Sequence, residues 1–264
     1  MYSFDYQRPD DTAAAAAAFQ GDARYLAGGQ SLVQAMRLRL SQSERLVDLG
    51  GIAGLKGIRV DGGQVVIGAM TTHAAVAASA DVRKTLPALS ELAGGIGDPM
   101  VRNMGTLGGS IANADPAACY PAALLALGAT VRTNQREIAA DAFFTGVYDT
   151  ALKPGELVTA VAFPVPQLAA YEKFKQPASR FALVGVFVAK GAGGVRVAVT
   201  GCKGHVYRAK PLEDALAASF TPEAAKAVRL PATDINGDLH ASPEYRAAMV
   251  SVMAGRAVAA ALAR

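Results

Sequence analysis

The most informative stretch of the chain is residues 105–119, which read Gly105-Thr106-Leu107-Gly108-Gly109-Ser110-Ile111-Ala112-Asn113-Ala114-Asp115-Pro116-Ala117-Ala118-Cys119. Two adjacent glycines leave the backbone bare, the hydroxyls of Thr106 and Ser110 flank them, and a carboxylate follows at Asp115. Glycine removes the side chain that keeps a ligand off the backbone and permits positive φ, so successive amides can face one anion. We therefore expect a ligand-binding loop here.

A second segment has the same character, because residues 27–32 read Ala27-Gly28-Gly29-Gln30-Ser31-Leu32. The pattern around it predicts a strand over 24–27 and a helix over 32–40 with Ser31 as its N-cap. A strand, a glycine loop and a helix start suit an anion, since free amides point the same way. One such segment alone is also typical of a tight turn. Two of them in one chain predict a large phosphate-bearing cofactor.

The remaining pattern predicts β-hairpins around 61–64 and 191–194, a boundary at 163–166, and helices near 210–219, 221–229 and 243–262. Strands arranged as hairpins rather than as βαβ units argue against a doubly wound sheet. No dinucleotide fingerprint is present, since Gly95-Ile96-Gly97-Asp98-Pro99-Met100 lacks the third glycine.

Composition excludes several functions. The 264 residues are 52% apolar and carry a net charge of +4, with no basic cluster of the kind that binds nucleic acid. Two cysteines are too few for an iron–sulfur cluster, and the three histidines share no metal-ligand spacing. We expect each histidine to be structural or on the surface, and we predict neither a metal site nor a catalytic residue. No signal peptide or transmembrane segment is recognisable, so a cytoplasmic location is expected.

A family resemblance rests on the two glycine segments together with Ile96-Gly97-Asp98-Pro99-Met100-Val101-Arg102-Asn103 and Asp115-Pro116-Ala117-Ala118. These resemble the FAD-binding medium subunit of molybdenum hydroxylases, the xanthine dehydrogenase and carbon monoxide dehydrogenase family, over the whole chain. The resemblance implies an α+β fold with an FAD-binding domain of the vanillyl-alcohol oxidase/PCMH type over 1–165, split into subdomains of about 1–56 and 57–165. A smaller C-terminal domain of the carbon monoxide dehydrogenase flavoprotein type, with a three-stranded antiparallel sheet and helices, would cover 166–264.

The resemblance also implies roles for individual residues. Residues 28–31 would wrap the FAD pyrophosphate, and Thr106, Gly108 and Gly109 would close on it from the other side. Leu107 would lie near the flavin ring, and Asp115 near the adenosine half. The cofactor-binding residues expected on this basis are Ala27, Gly28, Gly29, Gln30, Ser31, Leu32, Thr106, Leu107, Gly108, Gly109, Ser110, Asn113, Asp115, Lys175 and Phe181.

Three positions bear on the details of this resemblance. Lys175 resembles a lysine at the pyrimidine edge of the flavin, and Phe181 stands where some relatives place a tyrosine over the ring. Cys119 stands where many relatives have a second acid, and we interpret both Cys119 and Cys202 as small buried hydrophobic residues.

The function implied by the resemblance is electron transfer. The FAD of this chain would take electrons from 2Fe–2S clusters of a small partner subunit and pass them to an external acceptor. A large partner subunit would hold the molybdopterin-type molybdenum cofactor, and the assembly would be a dimer of heterotrimers. Two alternatives stay open: a self-contained FAD-dependent oxidase of the vanillyl-alcohol oxidase type, for which residues 164–264 form a small substrate domain, and a non-catalytic nucleotide-binding module.

Overall fold

The computed structural model describes residues 1–264 and places 14 strands and 11 α-helices in that range. The strands are β1 (Asp5–Gln7), β2 (Ala23–Leu26), β3 (Arg45–Asp48), β4 (Ile58–Asp61), β5 (Gln64–Gly68), β6 (Thr130–Thr133), β7 (Glu137–Ala139), β8 (Phe144–Gly146), β9 (Asp149–Thr150), β10 (Val158–Pro164), β11 (Leu168–Lys175), β12 (Ala182–Gly191), β13 (Gly194–Thr200) and β14 (Tyr207–Arg208). The helices are α1 (Thr12–Ala18), α2 (Leu32–Arg37), α3 (His73–Ala78), α4 (Ala80–Thr85), α5 (Pro87–Gly94), α6 (Pro99–Met104), α7 (Leu107–Asn113), α8 (Tyr120–Leu127), α9 (Lys210–Ala218), α10 (Pro222–Ala227) and α11 (Pro243–Leu262).

The first sheet has three parallel strands in the order β1-β3-β2. The prediction that strands form hairpins rather than βαβ units is wrong here, because α2 connects the parallel strands β2 and β3. Ser31 precedes α2 as predicted, but its side chain makes no capping hydrogen bond, and the helix ends at Arg37 rather than at Leu40. The first glycine segment therefore lies between β2 and α2 at one end of this sheet.

The second sheet is antiparallel with the order β4-β5-β10-β6-β7. Its predicted hairpin at 61–64 is confirmed, and Gly62 and Gly63 both have positive φ, at 55° and 75°. The largest buried apolar cluster lies around this sheet and α3, α5, α7 and α8. All eight residues of α8 are buried, because this helix contacts β10 and also β12 and β13. A helix covered on all sides needs no polar face.

The third sheet, in the order β11-β12-β13-β14, is antiparallel. The predicted hairpin of β12 and β13 is confirmed, and the three-stranded sheet expected here gains a two-residue edge strand. The helices α9, α10 and α11 cover it at or close to their predicted positions, and a second apolar cluster lies between them and the strands. The length and apolar composition needed to cross a membrane occur together in none of the helices.

The segment predicted as a long loop over 105–115 is a helix for most of its length. Thr106 caps α7 by accepting a hydrogen bond from the Gly109 amide at 3.1 Å. Leu107 and Ile111 are fully buried, and a Cβ on Gly108 would lie 2.5 Å from the Cβ of Ala69. Glycine disfavours a helix by about 1 kcal/mol per residue, but here it allows α7 to approach the sheet closely. Tertiary packing thus overrides the local propensity.

Candidate functional site

The two glycine segments line one cavity of about 540 Å³. This volume lies within the range of roughly 300–1,000 Å³ typical of cofactor and ligand pockets. Of the residues predicted to bind a cofactor, the cavity brings together Ala27, Gly28, Gly29, Gln30, Ser31, Leu32, Thr106, Gly108, Gly109, Ser110, Asn113, Asp115 and Phe181. Residues 78 positions apart in the chain therefore meet at one site, as Ala27 and Gly105 illustrate.

The two segments touch each other at the wall of the cavity. A Cβ on Gly28 would lie 2.0 Å from the carbonyl oxygen of Met104, and a Cβ on Gly109 would lie 3.1 Å from the Cβ of Ala27. The first of these distances permits no side chain at all. Glycine at position 28 is therefore required by the approach of residues 104 and 105, whereas Gly29 is favoured by its positive φ of 72°.

The backbone amides divide differently between the two segments. The amides of residues 28–31 donate to no other group of the chain, so this loop presents consecutive free donors. In the second segment, the amide of Leu107 donates to the Thr71 carbonyl at 3.1 Å, and that of Gly108 to the Ala69 carbonyl at 2.8 Å. Consecutive free amides form a concave site for an anion. The first segment is thus the better anion site, and the second supplies close packing.

Asp115 lies where α7 ends, after Ala114 in the left-handed conformation. One carboxylate oxygen accepts from the Ala117 amide at 2.8 Å, which is an Asx turn, and the other accepts from the Tyr148 hydroxyl at 3.3 Å. Asp115 therefore makes this turn and also lines the cavity.

The opposite part of the cavity is formed by residues close to or following β11. Phe181 lines it, and its ring meets that of His240 edge-on with centroids 5.9 Å apart. Lys173 also lines it, and its Nζ donates to the carbonyls of Gly95 and Arg180, both at 2.8 Å, and lies 3.5 Å from the Cys119 sulfur. Cys119 is buried, as expected. This lysine ties β11 to the end of α5.

Two residues of the predicted set do not line this cavity. Leu107 is fully buried in the core under α7, because it is the first residue of a helix rather than part of an open loop. Lys175 is exposed at the end of β11 and lines a neighbouring cavity. The pairing of β11 with β12 shifts between Phe174 and Lys175, and Lys173 occupies the cavity instead. Such a shift leaves no signal in the sequence.

His73 also lines the cavity, although the sequence indicated only a structural or surface histidine. It is 5% exposed, its Nδ1 has no hydrogen-bond partner, and a Cβ on Gly105 would lie 2.6 Å from its Nε2. Burial, helped by the nearby charge of Arg102, lowers the pKa of His73 to about 4. The imidazole is therefore neutral at pH 7 and adds no charge to the wall.

Glu156 is a buried carboxylate in the wall near Leu152 and Leu157. It accepts from Arg136 at 3.0 and 3.1 Å, from the Lys153 amide at 2.9 Å and from the Thr133 hydroxyl at 2.8 Å. The hydrogen bond from Arg136 is the main cause that lowers the pKa of Glu156 to about 2. This network holds the segment 151–157 against the cavity.

We expect Glu156→Gln to lower the free energy of unfolding at pH 7, because the amide loses the charge and cannot accept from all four donors. A depressed pKa contributes stability that is present above the unfolded pKa, 4.5, and is lost as the pH falls toward about 2. The gap between the urea midpoints of wild type and variant should therefore shrink between pH 7 and pH 3. Glu137→Gln, at an exposed carboxylate paired with Arg132, is the control and should change the midpoint little. An equal gap at both pH values would contradict the assignment.

Comparison with known proteins gives a consistent picture. The family described as the FAD binding domain in molybdopterin dehydrogenase matches residues 2–166. The carbon monoxide dehydrogenase medium chain of Afipia carboxidovorans is 40% identical over an alignment of 286 residues that covers 99% of this chain and 98% of that one. The nicotine 6-hydroxylase medium subunit of Paenarthrobacter nicotinovorans is 36% identical and is covered to 91%, with 92% of this chain aligned. The solved carbon monoxide dehydrogenase from Oligotropha carboxidovorans superposes with a TM-score of 0.88 at 37% identity, covering 100% of this chain and 99% of its counterpart.

Proposed function

The chain belongs to the family of FAD-binding domains of molybdopterin dehydrogenases, and from that premise we propose that it is the FAD-binding electron-transfer subunit of a molybdenum-containing hydroxylase or dehydrogenase. One observation of the structure carries the proposal: two glycine segments distant in sequence converge on one cavity, and one of them presents four consecutive free amides. This wall fits a diphosphate, which needs several donors and no side chains in its path.

In this proposal, the amides of residues 28–31 hold the pyrophosphate of FAD. Thr106, Gly108 and Gly109 close on it from the other motif, while Asn113 and Asp115 face the adenosine half and Phe181 the flavin ring. Lys173 takes the place expected for Lys175, and Leu107 keeps a packing role. Ala27, Leu32 and Ser110 complete the wall.

Bound FAD would supply chemistry that no side chain has. It exchanges electrons either in pairs or one at a time, whereas an iron–sulfur cluster exchanges them only one at a time. The chain's own residues bind and orient it. The ammonium of Lys173, held by two carbonyls, and the imidazole of His73, which is neutral at pH 7, line the same cavity. No residue of this chain is needed as a general base, because hydroxylation belongs to the molybdenum subunit.

We further propose the partners. Relatives named as medium chains and medium subunits belong to multi-subunit complexes, and this chain would join a small iron–sulfur subunit and a large molybdenum-binding subunit in a dimer of heterotrimers. The alternative of a self-contained oxidase loses support, because 99% of this chain aligns with a medium chain and covers 98% of it. A cytoplasmic location stays a prediction.

The proposed division of the chain is an FAD-binding domain over 1–165, with subdomains of about 1–56 and 57–165, and a C-terminal domain over 166–264. Two observations support it: the family match covers residues 2–166, and the chain leaves the second sheet at β10 and enters the third at β11.

The test is to purify the chain with whatever copurifies and to record its visible spectrum before and after acid precipitation. We expect released FAD at about one per chain, with additional iron–sulfur absorbance if the complex stays assembled. A colourless preparation that also takes up no added FAD would overturn the proposal and favour the non-catalytic module.

A further inference from the structure

A second cavity, of about 490 Å³, lies beside the cofactor cavity. The two share Gly97, Lys173 and Arg180 as a common wall. Whereas the first cavity is lined largely by glycines and apolar side chains, the second has charged walls. Its charged lining residues are Glu91, Arg102, Glu172, Lys173, Lys175 and Arg180.

The charges of this second cavity are unbalanced. None of its four cations forms a salt bridge with a carboxylate. Glu91 is itself paired with Arg264, outside the lining. Glu172 is thus the one carboxylate left to face four positive side chains.

Two of the four cations are also held close together. The Nη1 atoms of Arg102 and Arg180 donate to the same carbonyl oxygen, that of Gly97, at 3.0 and 3.4 Å. Arg102 comes from α6, and Arg180 precedes β12 and has a left-handed φ of 64°. A non-glycine residue in that conformation is strained, and such strain is found where a site fixes a side chain. A phosphate that bridges two neighbouring guanidinium groups makes charge-assisted hydrogen bonds to both of them.

The hydrogen-bond donors that remain free in the second cavity determine the chemistry of the ligand it can bind. The guanidinium groups of Arg102 and Arg180 each use only one nitrogen in hydrogen bonds, and Lys175 uses none. Lys173 contributes charge but has its donors occupied. Two guanidinium groups and one ammonium match the oxygens of a phosphate group, which guanidinium binds through two parallel hydrogen bonds.

We propose that the second cavity is a phosphate-binding site formed by Arg102, Lys175 and Arg180. Two sources share this chemistry: a phosphate-bearing electron acceptor, held beside the cofactor cavity through the common wall, and free inorganic phosphate. The phosphate site is inferred from the charges of the second cavity and does not depend on the proposed cofactor. The interpretation of its ligand as an electron acceptor rests on the proposed function.

The experiment is a calorimetric titration of the purified full chain, with its FAD content measured on the same sample. Inorganic phosphate is the first probe and NAD⁺ is the second. Arg102→Gln and Lys175→Gln are the cavity variants, and Lys84→Gln, which removes the same charge from exposed α4, is the matched control. Lys175 is exposed at the end of a strand, so its variant should fold even if Arg102→Gln does not.

We expect one phosphate per chain in wild type and in Lys84→Gln, with binding weakened about tenfold or more in each cavity variant. If NAD⁺ binds at least tenfold more tightly than phosphate and is weakened by the same variants, the source is an electron acceptor; if it does not, the source is free phosphate. The proposal is overturned if neither probe binds, or if the cavity variants bind as the control does. Such a result in a sample that holds FAD would leave the cofactor proposal intact and assign the free cations to an acidic surface of a partner.

Discussion

Gly28→Ala is expected to remove most of the FAD from the chain and to lower its melting temperature. The added Cβ would lie 2.0 Å from the Met104 carbonyl oxygen and 2.8 Å from the Cα of Gly105. Since both neighbours are backbone atoms, the two glycine segments must move apart, which displaces the free amides of residues 28–31. Overpacking of this kind costs about 2–3 kcal/mol, which for a chain of this size corresponds to roughly 5–10 °C. Calorimetry and FAD released per chain measure the two effects.

The control is Gly54→Ala, which makes the same substitution where a Cβ would meet no atom within 4 Å and where φ is not positive. That variant should keep its FAD and its melting temperature to within a few degrees, roughly the effect of 1 kcal/mol. If Gly28→Ala also keeps a full complement of FAD, the contact between the two segments is not what shapes the cofactor cavity.

Local signals predicted those elements whose order is set by neighbouring residues. The hairpin at 61–64 follows from two glycines between alternating apolar residues. Its deciding contacts lie within a few positions along the chain. The hairpin of β12 and β13 is of the same kind.

Helices and strands that are stabilised by contacts between residues distant in sequence were not predictable from the sequence. The helix α7 contains two adjacent glycines, and only the contact of Gly108 with Ala69, across the sheet, explains why it is helical. The parallel order β1-β3-β2 likewise depends on pairing between residues such as Asp5 and Arg45. The residues around one member of such a pair do not indicate which residue is its partner.

In the candidate site, too, the features set by neighbouring residues were predictable and those set by distant contacts were not. The two motifs identified most of its residues, because bare backbone and small polar side chains are visible in the sequence. The choice of Lys173 over Lys175 depends on a register shift in β11, and the place of His73 depends on the hydrogen bond from its amide to the Gly105 carbonyl at 3.0 Å. These positions are set by tertiary contacts.

The two glycine segments therefore have different structural roles, although their sequences are similar. The amides of residues 28–31 have no acceptor within the chain and these residues line the cavity, whereas the amides of Leu107 and Gly108 donate to the carbonyls of Thr71 and Ala69. Within the second segment the glycines differ again, because Gly108 faces Ala69 in the core and Gly109 faces Ala27 of the first segment. Neighbouring residues should thus give opposite phenotypes.

Gly109→Val is expected to abolish FAD retention while the chain stays folded. A Cβ there would lie 2.9 Å from the Thr106 hydroxyl and 3.1 Å from the Ala27 Cβ, so the further methyl groups of valine would enter the space between the two segments. Disturbing the Thr106 cap costs about 1 kcal/mol, or roughly 2–4 °C. We expect FAD binding to weaken at least tenfold, measured by titration of the stripped protein with FAD.

Gly108→Val should do the reverse and act first on stability, since its Cβ would lie 2.5 Å from the Ala69 Cβ and 2.9 Å from the Ala69 carbonyl oxygen in a packed core. We expect it to lower the melting temperature by roughly 10 °C or to yield insoluble protein, which corresponds to about 3 kcal/mol or more. Gly94→Val, at a helical glycine outside the cofactor cavity whose Cβ would meet only Ala77 at 3.7 Å, is the control for placing valine in a helix. Equal loss of stability in Gly108→Val and Gly109→Val would mean that both glycines serve packing alone. FAD retention by Gly109→Val would mean that the cofactor does not pass between the two segments.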